Sequence, residues 1–130
     1  MKNKLLKILT FVFFTTVLNA ENLDISAKNI TVDKESEITV FNGDVVIKDV
    51  NGTTINSEYA SYNKKLNFFN LKKSVVVTDS SGNQFKSPEA TYDANLKYFN
   101  SIGETIITTS QGYRVETEDI FFNNTKNIIF

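Results

Sequence analysis

Sliding the sequence against itself brings three glycines, Gly52, Gly82 and Gly112, into one column at an offset of 30 residues. The same offset aligns Ile25, Ile55, Phe85 and Val115, and then Val32, Tyr62, Tyr92 and Phe122. Further columns hold Ile38, Phe68, Tyr98 and Ile128, and Ile30, Ala60, Ala90 and Ile120, while Asp33, Asn63, Asp93 and Asn123 form a polar one. Val45 to Ile47 fall on Val75 to Val77 and on Thr105 to Ile107. A unit this short cannot bury an apolar face alone, so successive units must stack and bury it together.

The units read as β-structure. Runs such as ITVFN, KLNFFN, SVVVTD and LKYFN are rich in β-branched and aromatic residues. Turn clusters such as DVNG, DSSG and TSQG separate them, which predicts about ten or eleven short strands, roughly three per unit. After residue 20 no useful i, i+3, i+4, i+7 apolar stripe occurs, and the abundant Asn and Thr are weak helix formers.

Parity adds a detail, because residues on one face of a strand are an even number of positions apart. Positions 55 and 57 agree with each other, as do 60 and 62, but the two pairs disagree. The face must therefore switch near residues 58 and 59 of each unit, at a bulge or corner. The only proline, Pro88, occupies that point in its own unit, where a missing amide donor is tolerated. A repeated corner predicts an all-β antiparallel roll, with the sheet folded into two walls packed as a V and the apolar columns running as ladders along the axis.

Composition narrows the chemistry. The 130 residues include no Cys, His or Trp, which removes disulfides, thiolate nucleophiles, the usual zinc sets and any histidine relay. No cofactor or metal is expected, and no enzymatic activity. With Arg114 the single arginine and a net charge of −1, nucleic acid is not an expected partner. Residues 1–20 carry Lys2, Lys4 and Lys7, an uncharged stretch from Ile8 to Leu18, and a small-residue end at Ala20. This is the pattern of a secretory signal peptide, too short to span a bilayer, with residues 21–130 as the exported domain. Without those three lysines, 11 basic residues face 15 acidic ones, a net charge of −4.

The repeated phrases INSEYASYNKKLNFF and FKSPEATYDANLKYF, each followed by a Val/Ile-rich strand and an Asp/Ser-Gly turn, resemble the OstA-like domain of lipopolysaccharide transport proteins across residues 22–130. In that family the domain forms the whole of the periplasmic bridge protein LptA and the N-terminal periplasmic part of the outer-membrane protein LptD. The resemblance implies an open, twisted β-jellyroll whose apolar interior receives the acyl chains of lipid A. It also implies end-to-end strand pairing with other OstA-like domains, and a location in the periplasm with outer-membrane association. By the same resemblance the residues lining an open groove are Ile25, Ile55, Phe85 and Val115; Val32, Tyr62, Tyr92 and Phe122; and Phe68, Tyr98, Val77 and Ile107.

Two further expectations complete the reading. Ile128, Ile129 and Phe130 form an apolar edge with no following turn, which predicts either a longer natural chain or cover by another molecule. The competing class is a closed structural β-solenoid of an exported adhesin or filament, with no lipid ligand.

Overall fold

The computed structural model describes residues 8–19, 23–123 and 128–129; the expected signal-peptide cleavage point at Ala20 and the terminal Phe130 lie outside them. Among the described residues eleven strands form one antiparallel sheet, in which elements adjacent along the chain pair with each other except at two interruptions, where the seventh strand pairs with the tenth and the eighth with the sixth. They are β1 (Ile8–Asn19), β2 (Leu23–Asp33), β3 (Ile38–Asp49), β4 (Thr54–Asn63), β5 (Phe68–Thr78) and β6 (Gln84–Asp93). These are followed by β7 (Tyr98–Ile102), β8 (Glu104–Thr108), β9 (Arg114–Glu118), β10 (Phe121–Asn123) and β11 (Ile128–Ile129). β7 and β8 are one long strand interrupted at Gly103; β6 pairs with both. The described residues contain no helix.

The strand count meets the expectation, but the unit does not contain three short strands. It contains two long ones: the FFN of KLNFFN and the SVVVT of SVVVTD, separate in the sequence reading, belong to the single strand β5. What divides them is a bend. Every pairing from β2 to β6 shifts register at the same place, between Ser26 and Asn29, Asn42 and Val45, Asn56 and Tyr59, and Lys72 and Val75. On β3 and β5 the bend takes two successive left-handed residues, Gly43 and Asp44 (φ 85° and 46°), then Lys73 and Ser74 (φ 67° and 63°). Gly103 (φ 91°) holds the equivalent place between β7 and β8. The expected corner is therefore present, and Pro88 sits in it, skipped by the ladder between Ser87 and Glu89.

The corner folds the sheet into two walls. One, here wall A, carries the strand halves around residues 29–33, 38–42, 59–63, 68–72, 89–93, 98–102 and 120–123. Wall B carries the halves around 23–27, 45–49, 54–57, 75–78, 84–87, 104–108 and 114–118. Ring contacts cross between the walls: Phe85 of wall B lies 5.0 Å from Phe122 and 6.5 Å from Phe99 of wall A. Each wall ends in a row of turns. Those of wall A are Asx-type, with Asp33 Oδ1 accepting from the amides of Glu35 and Ser36, and Asp93 Oδ1 from those of Asn95 and Leu96. Those of wall B close on Gly52, Gly82 and Gly112, all at φ near 90°, which only glycine takes without strain.

Candidate functional site

Register turns the apolar columns into continuous rows. On wall B, Ile25 opposes Ile47, Ile47 opposes Ile55, then Val77, Phe85, Ile107 and Val115 follow in order. On wall A the row runs Val32, Thr39, Tyr62, Phe69, Tyr92, Phe99 and Phe122. Directly opposed side chains on one face are the units of sheet stabilisation, and on wall A from Tyr62 onward they are aromatic. Tyr62 stacks on Phe69 at 4.5 Å, and Phe69 meets Tyr92 at 6.3 Å. A third row near the corner joins Ile30, Phe41, Ala60, Leu71, Ala90 and Ser101.

Nine of the twelve expected lining residues lie on this interior: Ile25, Ile55, Val77, Phe85, Ile107, Tyr62, Tyr92 and Phe122 are buried, and Val32 packs against them half-buried. Val115 closes the wall B row but is 49% exposed, because β9 is the last strand of that wall among the described residues. Phe68 and Tyr98 take the opposite face. The turns before them end in left-handed Asn67 (φ 54°) and Lys97 (φ 63°), and the buried alternation then starts on Phe69 and Phe99. Tyr98 instead packs edge-to-face on Phe121, ring centres 4.6 Å apart, on the outer side of wall A. Phe69, Phe99 and Ile47 were missed by the sequence reading. The doublets Phe68-Phe69 and Tyr98-Phe99 offer an apolar residue on either face, so periodicity does not choose between them.

The interior departs from the expected trough in one respect. Its rows are filled by their own side chains; even Ile107, toward the open end, is only 8% exposed. Two clefts bounded by described side chains, of about 560 and 280 Å³, lie outside it, over the outward Val46, Val76 and Ile106 beside the corner. The interior also narrows in apolar volume along the axis. Phe41, Leu71 and Ser101 are equivalent, as are Val45, Val75 and Thr105.

The polar end is fully bonded. The Ile120 amide donates to Ser101 Oγ at 2.8 Å, and Thr105 Oγ1 donates to the Gly103 carbonyl at 2.9 Å. The Ser101 hydroxyl must then donate to Thr105 Oγ1, at 2.7 Å.

Among the described residues charge stays near the surface apart from Asp79, buried in a wall B turn where its carboxylate accepts from the amides of Ser81 and Asn83. Lys28 pairs with Asp44 across the corner at 3.0 Å, both exposed, and the hydrogen bond to Asp44 raises the lysine above its ordinary pKa. Arg114 binds Glu116 through Nη2 at 2.8 Å, and Asp119 accepts the Gly103 amide, so Glu116 and Asp119 have structural partners. At the wall A rim, Tyr62 donates to Asn67 Oδ1 at 2.8 Å, and Asn67 Nδ2 donates to Asn95 Oδ1 at 2.9 Å. Among the described residues no group of three acidic side chains is placed to hold a metal ion.

One antiparallel sheet, folded at a repeated corner around ladders of apolar side chains and left open rather than closed into a barrel, is an LptA-like β-jellyroll. A solved structure with this fold is LptH, the LptA-homologous periplasmic component of the conserved lipopolysaccharide transport device from Pseudomonas aeruginosa. It superposes with a TM-score of 0.73 over 83% of this chain and 80% of LptH, at 14% sequence identity. No family model and no curated protein matches the chain.

Proposed function

We propose that this chain is a periplasmic component of lipopolysaccharide transport, exported by its N-terminal segment, which shields lipid A acyl chains between its two walls and helps bridge toward the outer membrane. The observation that carries the reading is the pair of predominantly apolar rows, one per wall and interrupted on wall A only by Thr39, in the fold that LptH also has. An acyl chain of about twelve methylenes costs on the order of 10 kcal/mol to expose to water, at about 0.8 kcal/mol each, so a carrier must enclose it. Equivalent positions repeating along the rows let a chain move between similar sites. Because the rows are packed, the lipid enters by displacing side chains as the walls part, starting where Val115 leaves the row uncovered.

The same packing favours a second reading, a closed structural β-roll without ligand. Mass spectrometry of the purified protein, with a photocrosslinking residue at Val115, at Phe85 or at Phe68, separates the two. The carrier retains lipopolysaccharide and crosslinks it from Val115 and Phe85 but not from outward Phe68. No retained lipid and no crosslink on addition of lipopolysaccharide establishes the closed roll.

A further inference from the structure

Two exposed leucines remain outside everything assigned so far. Leu66 and Leu96, 59% and 57% exposed, occupy the same position in successive turns of the wall A rim. Their two turns are hydrogen-bonded to each other. The Ala94 amide donates to the Asn67 carbonyl at 3.0 Å, and the Asn67 and Asn95 side chains bond to each other across the turns. Behind them on the outer face stand half-buried Phe68 and Tyr98. Charge segregates with the leucines. The first turn of the row has Ser36 in that position and is acidic, with Asp33, Glu35 and Glu37 against Lys34. The leucine-bearing turns carry Lys64, Lys65 and Lys97, and the one carboxylate there, Asp93, accepts two backbone amides.

We propose that the rim formed by residues 64–67 and 94–97 docks on an anionic bilayer surface. Leu66 and Leu96 enter the headgroup boundary, and Lys64, Lys65 and Lys97 face the acidic headgroups. Exposed apolar tips flanked by lysines fit this partner because apolar burial and attraction to anionic lipid act together on the same few residues. The net negative charge of the chain does not oppose it, since charges beyond roughly 10 Å of the surface are screened at ordinary ionic strength. The proposal is independent of what the interior binds.

The test is sedimentation of the full chain with phosphatidylglycerol vesicles, with phosphatidylcholine vesicles as the zwitterionic counterpart. Partitioning onto phosphatidylglycerol should fall at least about tenfold in Leu66→Asn/Leu96→Asn and in Lys64→Glu/Lys65→Glu, with unchanged thermal melts. Because the chain has no tryptophan, Leu96→Trp gives an unambiguous second reading, a blue-shifted emission on phosphatidylglycerol vesicles alone. Undiminished binding in both double variants would place the membrane contact in the apolar segment Ile8 to Leu18 and overturn the proposal. So would equal binding to the two lipids, no binding at all, or an unshifted Trp emission. A concentration-dependent dimer lost in Leu66→Asn/Leu96→Asn, without vesicle binding, would assign the rim to a second copy of the chain instead.

Discussion

Phe68 and Phe69 are neighbours of identical chemistry on opposite faces of β5, so truncating each in turn measures the face assignment with everything else held constant. Phe69 is fully buried between Tyr62 and Tyr92, at ring distances of 4.5 and 6.3 Å. Phe69→Ala removes a core ring and breaks two aromatic contacts, for which the expected cost is about 3–5 kcal/mol. Phe68 is half-buried on the outer side and should cost about 1 kcal/mol. For a domain of this size, about 1 kcal/mol corresponds to roughly 3–5 °C in Tm, so the two variants should differ by about 6–20 °C. Urea unfolding followed by far-UV circular dichroism gives the free energies, with an unchanged m-value marking a folded-state effect. Equal losses, or a larger loss for Phe68→Ala, would show that the sheet faces are inverted and that the wall A row is wrong.

The remaining predictions concern the corner and the polar end. Ser101→Ala should cost about 1–3 kcal/mol in urea unfolding, because it leaves the buried Ile120 amide without its acceptor; a change below about 0.5 kcal/mol would refute that hydrogen-bond assignment. Lys73→Gly should raise stability by roughly 0.5–1 kcal/mol by relieving a left-handed residue, as Gly43 already does one unit earlier. Gly103→Ala should lower it by about 1–2 kcal/mol, because φ is 91° and the added Cβ would lie 3.3 Å from Pro88 Cγ. Lys28→Met should leave the pH dependence of the melt unchanged between about pH 6 and 9. The raised lysine pKa places that pair's contribution fully below the unfolded value, and it is lost only as alkaline pH rises through the folded one.

Much of the architecture was legible because the repeat is dense in information. The 30-residue offset located the units, and the parity break at residues 58 and 59 located the corner that all the later pairings share. The wall B row followed, since its residues have no apolar neighbour that could serve equally well on the wall's other face in β4 and β6. On wall A the expected residues of β4 and β6 lie on the inner face, whereas those of β5 and β7 lie on the outer one, one residue from Phe69 and Phe99. A repeat reproduces both faces of a strand with equal fidelity, so the outer column of Ile38, Phe68 and Tyr98 recurs as regularly as the inner column of Thr39, Phe69 and Phe99. What decides between them is the left-handed residue ending each turn, a backbone property that Asn67 signals weakly and Lys97 hardly at all. The merging of two short segments into one bent strand has the same origin. Lys73 and Ser74 adopt the conformation that Gly43 announces openly, and neither residue type advertises it.

The pairing of each long strand with the next carries a consequence for evolution and engineering. Since no pairing reaches beyond the adjacent coil, the molecule's length is adjustable in whole hairpins. Excising the thirty residues from Thr53 to Gly82 would join equivalent points of two coils and leave both oily ladders in step, only shorter. Removing fifteen would set an ascending strand where a descending one belongs. The chain thus behaves as a measuring stick graduated in hairpins, and its reach can be reset by duplication or loss of a single graduation without redesigning the rest.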